Sequence, residues 1–275
     1  MATKDYAAIA KARITQPSES KRMPRVLVYG RNKKGKTRFS ATAPNVLIVD
    51  PEEGTDHETK INPNTWKVND WTDLNDVYMF LKGGGVSPIT GQPYRWVSLD
   101  GMTRITNMSL RWTMNQEEER SLDRKPGQVG KQDYGKSGEM VKGMLLNFHS
   151  LRDIGVILTA QERMREVEAP SEEDEDAGDT SYIFVPDLPA GVRSAVNSMV
   201  DVIGRMYTVR GEFPKKFKKP DGTVVTKNVD GVHRRLWIGP HNSYDTGYRS
   251  EFILPDYITE PSVPRLLQAM REGKV

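Results

Sequence analysis

The chain has 275 residues, 36% hydrophobic and 28% charged, with 40 Lys and Arg against 37 Asp and Glu for a net charge of +3, the balance of a soluble globular protein with one sizeable core or two small ones. It has no cysteine, which excludes a disulfide framework, a Cys-based zinc site and a thiol nucleophile. Its four histidines (His57, His149, His233, His241) have no finger or helix spacing, no apolar run approaches the ~20 residues that span a bilayer, and MATKDYAAIAKARI has no apolar signal core, so a cytoplasmic chain with no membrane partner is expected.

Residues 1–24 are polar and basic and read as an N-terminal arm. Arg25–Tyr29 (RVLVY) is a short β-branched run, the pattern of a buried strand. It leads into Gly30-Arg31-Asn32-Lys33-Lys34-Gly35-Lys36-Thr37, followed by Arg38 and a helix-like segment that ends before Pro44. This matches the phosphate-loop pattern GxxxxGK(S/T) without a departure, in the strand–loop–helix context the pattern requires. Glycines at both ends let backbone N–H groups curl around phosphate oxygens, and the helix presents its positive end to them. Lys36 is expected on the β- and γ-phosphates, and the Thr37 hydroxyl on Mg²⁺.

Residues 45–49 (NVLIV) form a second buried-strand run closed by Asp50-Pro51, and VLIVDPEE puts Glu52 and Glu53 just past its end. A carboxylate there can polarise the water that attacks a γ-phosphate; Glu52 is the first choice and Glu53 the second. Residues 65–68 read as a third strand, and Asp73–Lys82 as a helix stopped by Gly83-Gly84-Gly85. RWVSL (95–99) is a strand ended by Asp100-Gly101, which makes Asp100 the second Mg²⁺ anchor. Helices are expected over 103–119 and 134–152 with a polar loop between them. IGVILT (154–159) is another strand, ending in Gln161, whose amide can sense a γ-phosphate or cap the strand.

Charge is segregated beyond that point. Residues 161–180 carry nine acids and two arginines, whereas residues 205–235 carry nine Lys and Arg and three acids. Both stretches fit solvated surface, and both also fit a polyanion-binding face beside an acidic, mobile loop at about 162–181. Short runs at 182–185, 199–203, 207–209, 232–238 and 252–254 suggest further strands, with Pro220-Asp221-Gly222 as a turn and 264–272 as a terminal helix. Strands alternating with helices over the first 160 residues predict an α/β fold with a mostly parallel central sheet flanked by helices and antiparallel strands added in the C-terminal part.

The ordered set resembles the RecA-like ATPases, and most closely the phage-encoded AAA-type ATP-binding proteins that act in phage recombination as RecA-like single-strand annealing proteins. The residues that carry the resemblance are VLVYGRNKKGKT with LIVDPEEGT, WVSLDGMT, and QDYGKSGEMVKGMLLNFHSLRDIGVILTAQE, within about residues 25–210. The resemblance implies a RecA-like P-loop NTPase core over 25–260 with a terminal helix over 261–275, and hydrolysis of ATP with Mg²⁺. It makes Glu52 the catalytic glutamate and Gln161 the switch glutamine. It also implies single-stranded DNA held by two loops: 117–132, with Arg120, Arg124, Lys125 and Lys131, and 162–188, with Arg163 and Arg165. The acidic centre of the second loop would repel phosphate and departs from that pattern. A homo-oligomer, ring or filament, is implied, with Arg249 (or Lys227 behind it) completing the neighbour's site, and a single-strand-binding protein as a further partner. A DNA motor or helicase loader, a weakly hydrolysing regulator and, less well, a small-molecule kinase are the alternative readings.

Overall fold

In the computed structural model, residues 5–14, 16, 22–120, 123–167, 181–218 and 221–274 are described. The N-terminal arm forms a helix, α1 (Tyr6–Arg13), capped by the Asp5 side chain. The core begins at β1 (Arg25–Tyr29), followed by α2 (Lys36–Ala41), β2 (Val46–Asp50), β3 (Asn64–Lys67), α3 (Asp73–Lys82), β4 (Trp96–Asp100), α4 (Met102–Arg120), α5 (Lys131–Ser150) and β5 (Gly155–Ala160). Then come β6 (Glu162–Val167), β7 (Ser181–Pro186), α6 (Ala190–Met199), β8 (Val202–Lys218), β9 (Val224–Trp237), β10 (Gly247–Tyr248), β11 (Tyr257–Thr259) and α7 (Val263–Glu272).

Among the described residues the main sheet runs β11-β9-β8-β1-β5-β4-β2-β3, with β10 also on β8. From β8 to β3 every pairing is parallel, and β9, β10 and β11 add antiparallel. The architecture is the expected one: a mostly parallel central sheet with flanking helices, and antiparallel strands in the C-terminal part. Strands β1, β2, β4 and β5 are buried at every position, which is why they read as continuous apolar runs rather than alternating ones. Their side chains still alternate between two cores. Leu27 and Tyr29 of β1 face the core covered by α3, α4, α5 and α6. Val26 and Val28 face the core that holds Phe39 of α2 and Leu266 of α7. Each fully buried aliphatic side chain contributes about 1.5–3 kcal/mol.

Several elements differ from the sequence expectation, each for a local reason. The run at 199–203 joins the last residue of α6 to the first two of β8, so only Val202 and Ile203 are strand; helix α6, which Pro189 precedes, was not expected. The short runs at 207–209 and 232–238 belong to one long ribbon, in which β8 and β9 pair continuously from Arg205 against Trp237 to Lys218 against Val224. Its outer half is solvated, so no hydropathy pattern marks it. The run at 252–254 is not a strand: Ile253 is 91% exposed, and the Leu254 N–H donates to the Tyr248 hydroxyl. Helix α4 extends to Arg120 and α5 starts at Lys131, so the expected loop 117–132 contracts to the link between them. Of the acidic loop at 162–181, residues 162–167 pair with 181–186 as an antiparallel hairpin, and 168–180, including its most acidic part, lie outside the described residues. Helix α7 is docked in the core, with Val263, Leu266 and Ala269 fully buried.

Candidate nucleotide site

Because β1, β2, β4 and β5 are parallel, the segments that follow them all emerge at one edge of the sheet. That edge holds a cleft of about 430 Å³, lined by Lys36 and Thr37 after β1, Glu52 after β2, Asp100 at the end of β4, and Thr159 to Gln161 at the end of β5. Four separated sequence segments thus meet at one place.

The phosphate loop needs its two glycines sterically. Gly35 has φ +96, and a Cβ there would sit 2.5 Å from Nε of Arg234; a Cβ on Gly30 would collide with the carbonyl oxygen of Met206 on β8. Lys36 donates from Nζ to the carbonyl oxygens of Gly30 (2.8 Å) and Arg31 (3.0 Å), so its ammonium lies across the mouth of the loop. Burial pulls Lys36 below the ordinary lysine range, opposed by the charges of Asp100, Glu52 and Glu162. The Thr37 hydroxyl donates to Asp100 Oδ2 (2.6 Å), and the Thr159 hydroxyl donates to Asp100 Oδ1 (2.7 Å). Asp100 is 6% exposed, and burial pushes its carboxyl above the usual range despite those two hydrogen bonds. A hydroxyl and a single carboxylate facing each other are an incomplete cage. No cluster of three metal-ligating side chains occurs among the described residues. This set suits Mg²⁺, which keeps waters and takes its remaining oxygens from substrate phosphates.

Asp50, which sequence reasoning treated only as the end of a strand, shapes the turn that carries the glutamate. Its carboxylate accepts from the N–H of Glu52 (3.0 Å), Gly54 (3.2 Å) and Thr55 (2.9 Å) and from the Thr55 hydroxyl (2.6 Å). The turn aims Glu52 into the cleft against Gly101. Burial, and then the charge of Asp100, raise the Glu52 carboxyl, while Lys36 opposes. Glu53 points elsewhere: its side chain is 70% exposed and lies 3.5 Å from Lys67. Gln161 lines the cleft, and its N–H donates to Thr103 Oγ1 (3.1 Å).

The other expected nucleotide contacts divide. Asn32, Lys33 and Arg38 line the cleft, Arg38 lying 3.7 Å from Glu58. Lys34 donates to the Thr208 hydroxyl (3.0 Å). Arg31 turns to Glu162 (3.1 Å), a buried carboxylate that also pairs with Arg205 (2.9 Å); Arg205 in turn lies 4.4 Å from the rings of Phe184 and Tyr244.

Sequence reasoning missed Arg234. It stands on β9 one residue from the Tyr207–Arg235 pair, and β8 runs beyond the end of β1 at the Tyr29–Arg205 pair, so Arg234 reaches back over the phosphate loop and lines the cleft. Its guanidinium has no hydrogen bond or ion pair among the described residues. The only sequence signal was its place in the basic stretch 205–235. Arg249 is not brought to the cleft of its own chain. Its N–H bonds to Asp201 O, whose own residue bonds to Arg25 at the start of β1, which puts Arg249 at the opposite edge of the sheet.

Of the residues expected on DNA, Arg124 forks onto both oxygens of buried Asp133 and onto Gln128 O, so it ties the link to α5 and has little left for a phosphate. Arg120 lies 3.8 Å from Glu117, and Arg163 lies 3.8 Å from Asp187. Lys125, Lys131 and Arg165 are exposed.

Residues 22–250 match the AAA domain family. The chain belongs to that family of P-loop ATPases. No curated protein matches it. Among solved structures it is similar to the RadB recombinase, with 16% identity, 86% of this chain and 90% of the other covered, and a TM-score of 0.38. It is also similar to the flagellar accessory protein FlaH from Methanocaldococcus jannaschii, with 12% identity, 91% and 94% covered, and a TM-score of 0.34. A DnaB-like replicative helicase gives 12% identity, 84% and 58% covered, and a TM-score of 0.34. No helix among the described residues is long and apolar enough to cross a membrane.

Proposed function

We propose that this AAA-domain protein hydrolyses ATP in the cleft and couples hydrolysis to work on single-stranded DNA in phage recombination, by annealing or strand exchange, as a homo-oligomer. The observation that supports the ATPase reading most directly is the convergence of Lys36, Thr37, Glu52 and Asp100 on one cleft. Thr37 and Asp100 hold Mg²⁺, which when bound offsets negative charge on the phosphates. Lys36 and Arg234 bind the phosphate oxygens, and the loop N–H groups cradle them. Glu52 accepts a proton from water as the water oxygen bonds to the γ-phosphorus; the bond from that phosphorus to the bridging oxygen breaks, and ADP leaves with the electron pair. A carboxyl raised by burial is a stronger base than a solvated one, which suits this role.

Phosphate release from ATP, measured with and without single-stranded DNA, tests the proposal. Turnover that needs Mg²⁺, rises with the DNA and disappears in Lys36→Ala is expected. Turnover unchanged in Lys36→Ala overturns the assignment of the cleft, and turnover indifferent to DNA, with no DNA bound, overturns the nucleic-acid role.

A further inference from the structure

We propose that the exposed face of α4, together with the segment after β3, is a binding groove for single-stranded nucleic acid. The inference deepens the function proposed above and places the strand away from the two loops that the sequence suggested. Arg104, Asn107, Arg111, Trp112 and Asn115 recur at helical spacing and share one face of α4. The opposite face, with Ile105, Ser109 and Thr113, is buried. Across from that outward face stands Trp71, and between them lies a groove of about 320 Å³. Both indoles are half-buried, and Arg104 and Arg111 are exposed.

The partners of these groups are the informative part. Neither Arg104 nor Arg111 has an ion pair or hydrogen bond among the described residues, and the side-chain amides of Asn107 and Asn115 have none either. An ordinary solvated helix face interleaves its cations with acids at i and i+4, and this one does not. Among the described residues the single carboxylate lining the groove, Asp70, is held by hydrogen bonds from the Thr72 N–H and hydroxyl. Two indole faces suit unstacked bases, two unpaired guanidinium groups suit backbone phosphates, and free amides suit base edges. A duplex offers stacked bases that indoles in a groove cannot reach, so the occupant is a single strand.

The groove is also joined to the nucleotide site. Arg104 lines a second hollow with Glu52, Glu53 and Asp50, and its charge bears on Glu52. A strand phosphate drawn to Arg104 therefore arrives beside the turn that positions Glu52, which is a direct physical route for DNA-stimulated hydrolysis.

The test is anisotropy of labelled oligo(dT) with the full chain at several salt concentrations, alongside basal ATP turnover. In Arg104→Ala/Arg111→Ala each lost phosphate contact should lower the log–log salt slope by about 0.7. Trp112→Ala should weaken binding about fivefold or more, and Trp112→Phe should retain most of it. Ultraviolet cross-links should map to the peptides that contain Trp71 or Trp112, a readout that does not depend on a variant folding. Unchanged affinity and slope in the double arginine variant overturn the groove. Loss of binding only in Lys125→Ala/Lys131→Ala also overturns it, while the proposed function stands. Lost self-association with unchanged oligo(dT) binding marks the face as a subunit contact and refutes the assignment. If the unaltered chain hydrolyses ATP but binds no oligo(dT), the groove and the nucleic-acid part of the proposed function fall together.

Discussion

Arg234→Ala is the sharpest probe of the nucleotide cleft. The guanidinium lies against Gly35 with no competing partner among the described residues, so no interaction with them has to be broken before it meets a phosphate. The substitution leaves intact the backbone links from Arg234 to Glu260, an N–H donated to its carboxylate and a carbonyl accepting from its N–H, so the ribbon keeps its register. A hydrogen bond to a charged group is worth about 1.5–3 kcal/mol, which corresponds to roughly 10- to 150-fold in an equilibrium constant. ATP binding by calorimetry and steady-state turnover together locate the loss: weaker binding at constant kcat means Arg234 holds the ground state, and lower kcat at constant binding means it acts on the transition state. The reach of Arg234 is within its own chain, so mixing Arg234→Ala with Lys36→Ala should restore no turnover. Binding and kcat both within twofold of the parent refute the reasoning, and recovered turnover in the mixture shows that Arg234 serves a neighbouring subunit.

Glu52→Gln should bind ATP and hydrolyse it at least about 100-fold more slowly, as expected for loss of a general base, whereas Glu53→Gln should turn over at nearly the parent rate; single-turnover phosphate release separates the two. Asp100→Asn should abolish the Mg²⁺ dependence of nucleotide binding and change the stability profile of the free protein. Burial raises the Asp100 carboxyl, so its contribution to stability is present below the ordinary carboxylate range and is lost as pH rises through the raised value. The melting temperature of Asp100→Asn minus that of the parent should therefore grow with pH from about 4 upward, and a difference that shrinks contradicts the assignment. Arg124→Ala should lower the melting temperature by stranding the Asp133 carboxylate, with little change in the salt slope of oligo(dT) binding; a lower slope at unchanged stability would return Arg124 to the DNA surface.

The parts of the site legible in the sequence are those whose chemistry needs contiguous residues. A phosphate loop must present successive N–H groups from one short stretch, so Gly30 to Thr37 spells its role out. A strand ending in Asp100, or in Gln161, is equally local, and fully buried strands announce themselves as apolar runs. Position after β2 ranked Glu52 before Glu53, but the physical separation of the two depends on Asp50 gathering three N–H groups into one particular turn, with Glu53 left exposed beside Lys67. The position of Arg234 depends on the register of β9 on β8, in a ribbon whose outer half is solvated and so carries no hydrophobic pattern. The groove at Trp71 and Trp112 joins the end of β3 to a helix from another segment, and its meaning lies in missing partners. Local sequence encodes conformation and short-range chemistry, whereas pairing across the fold is set by packing that no single stretch contains.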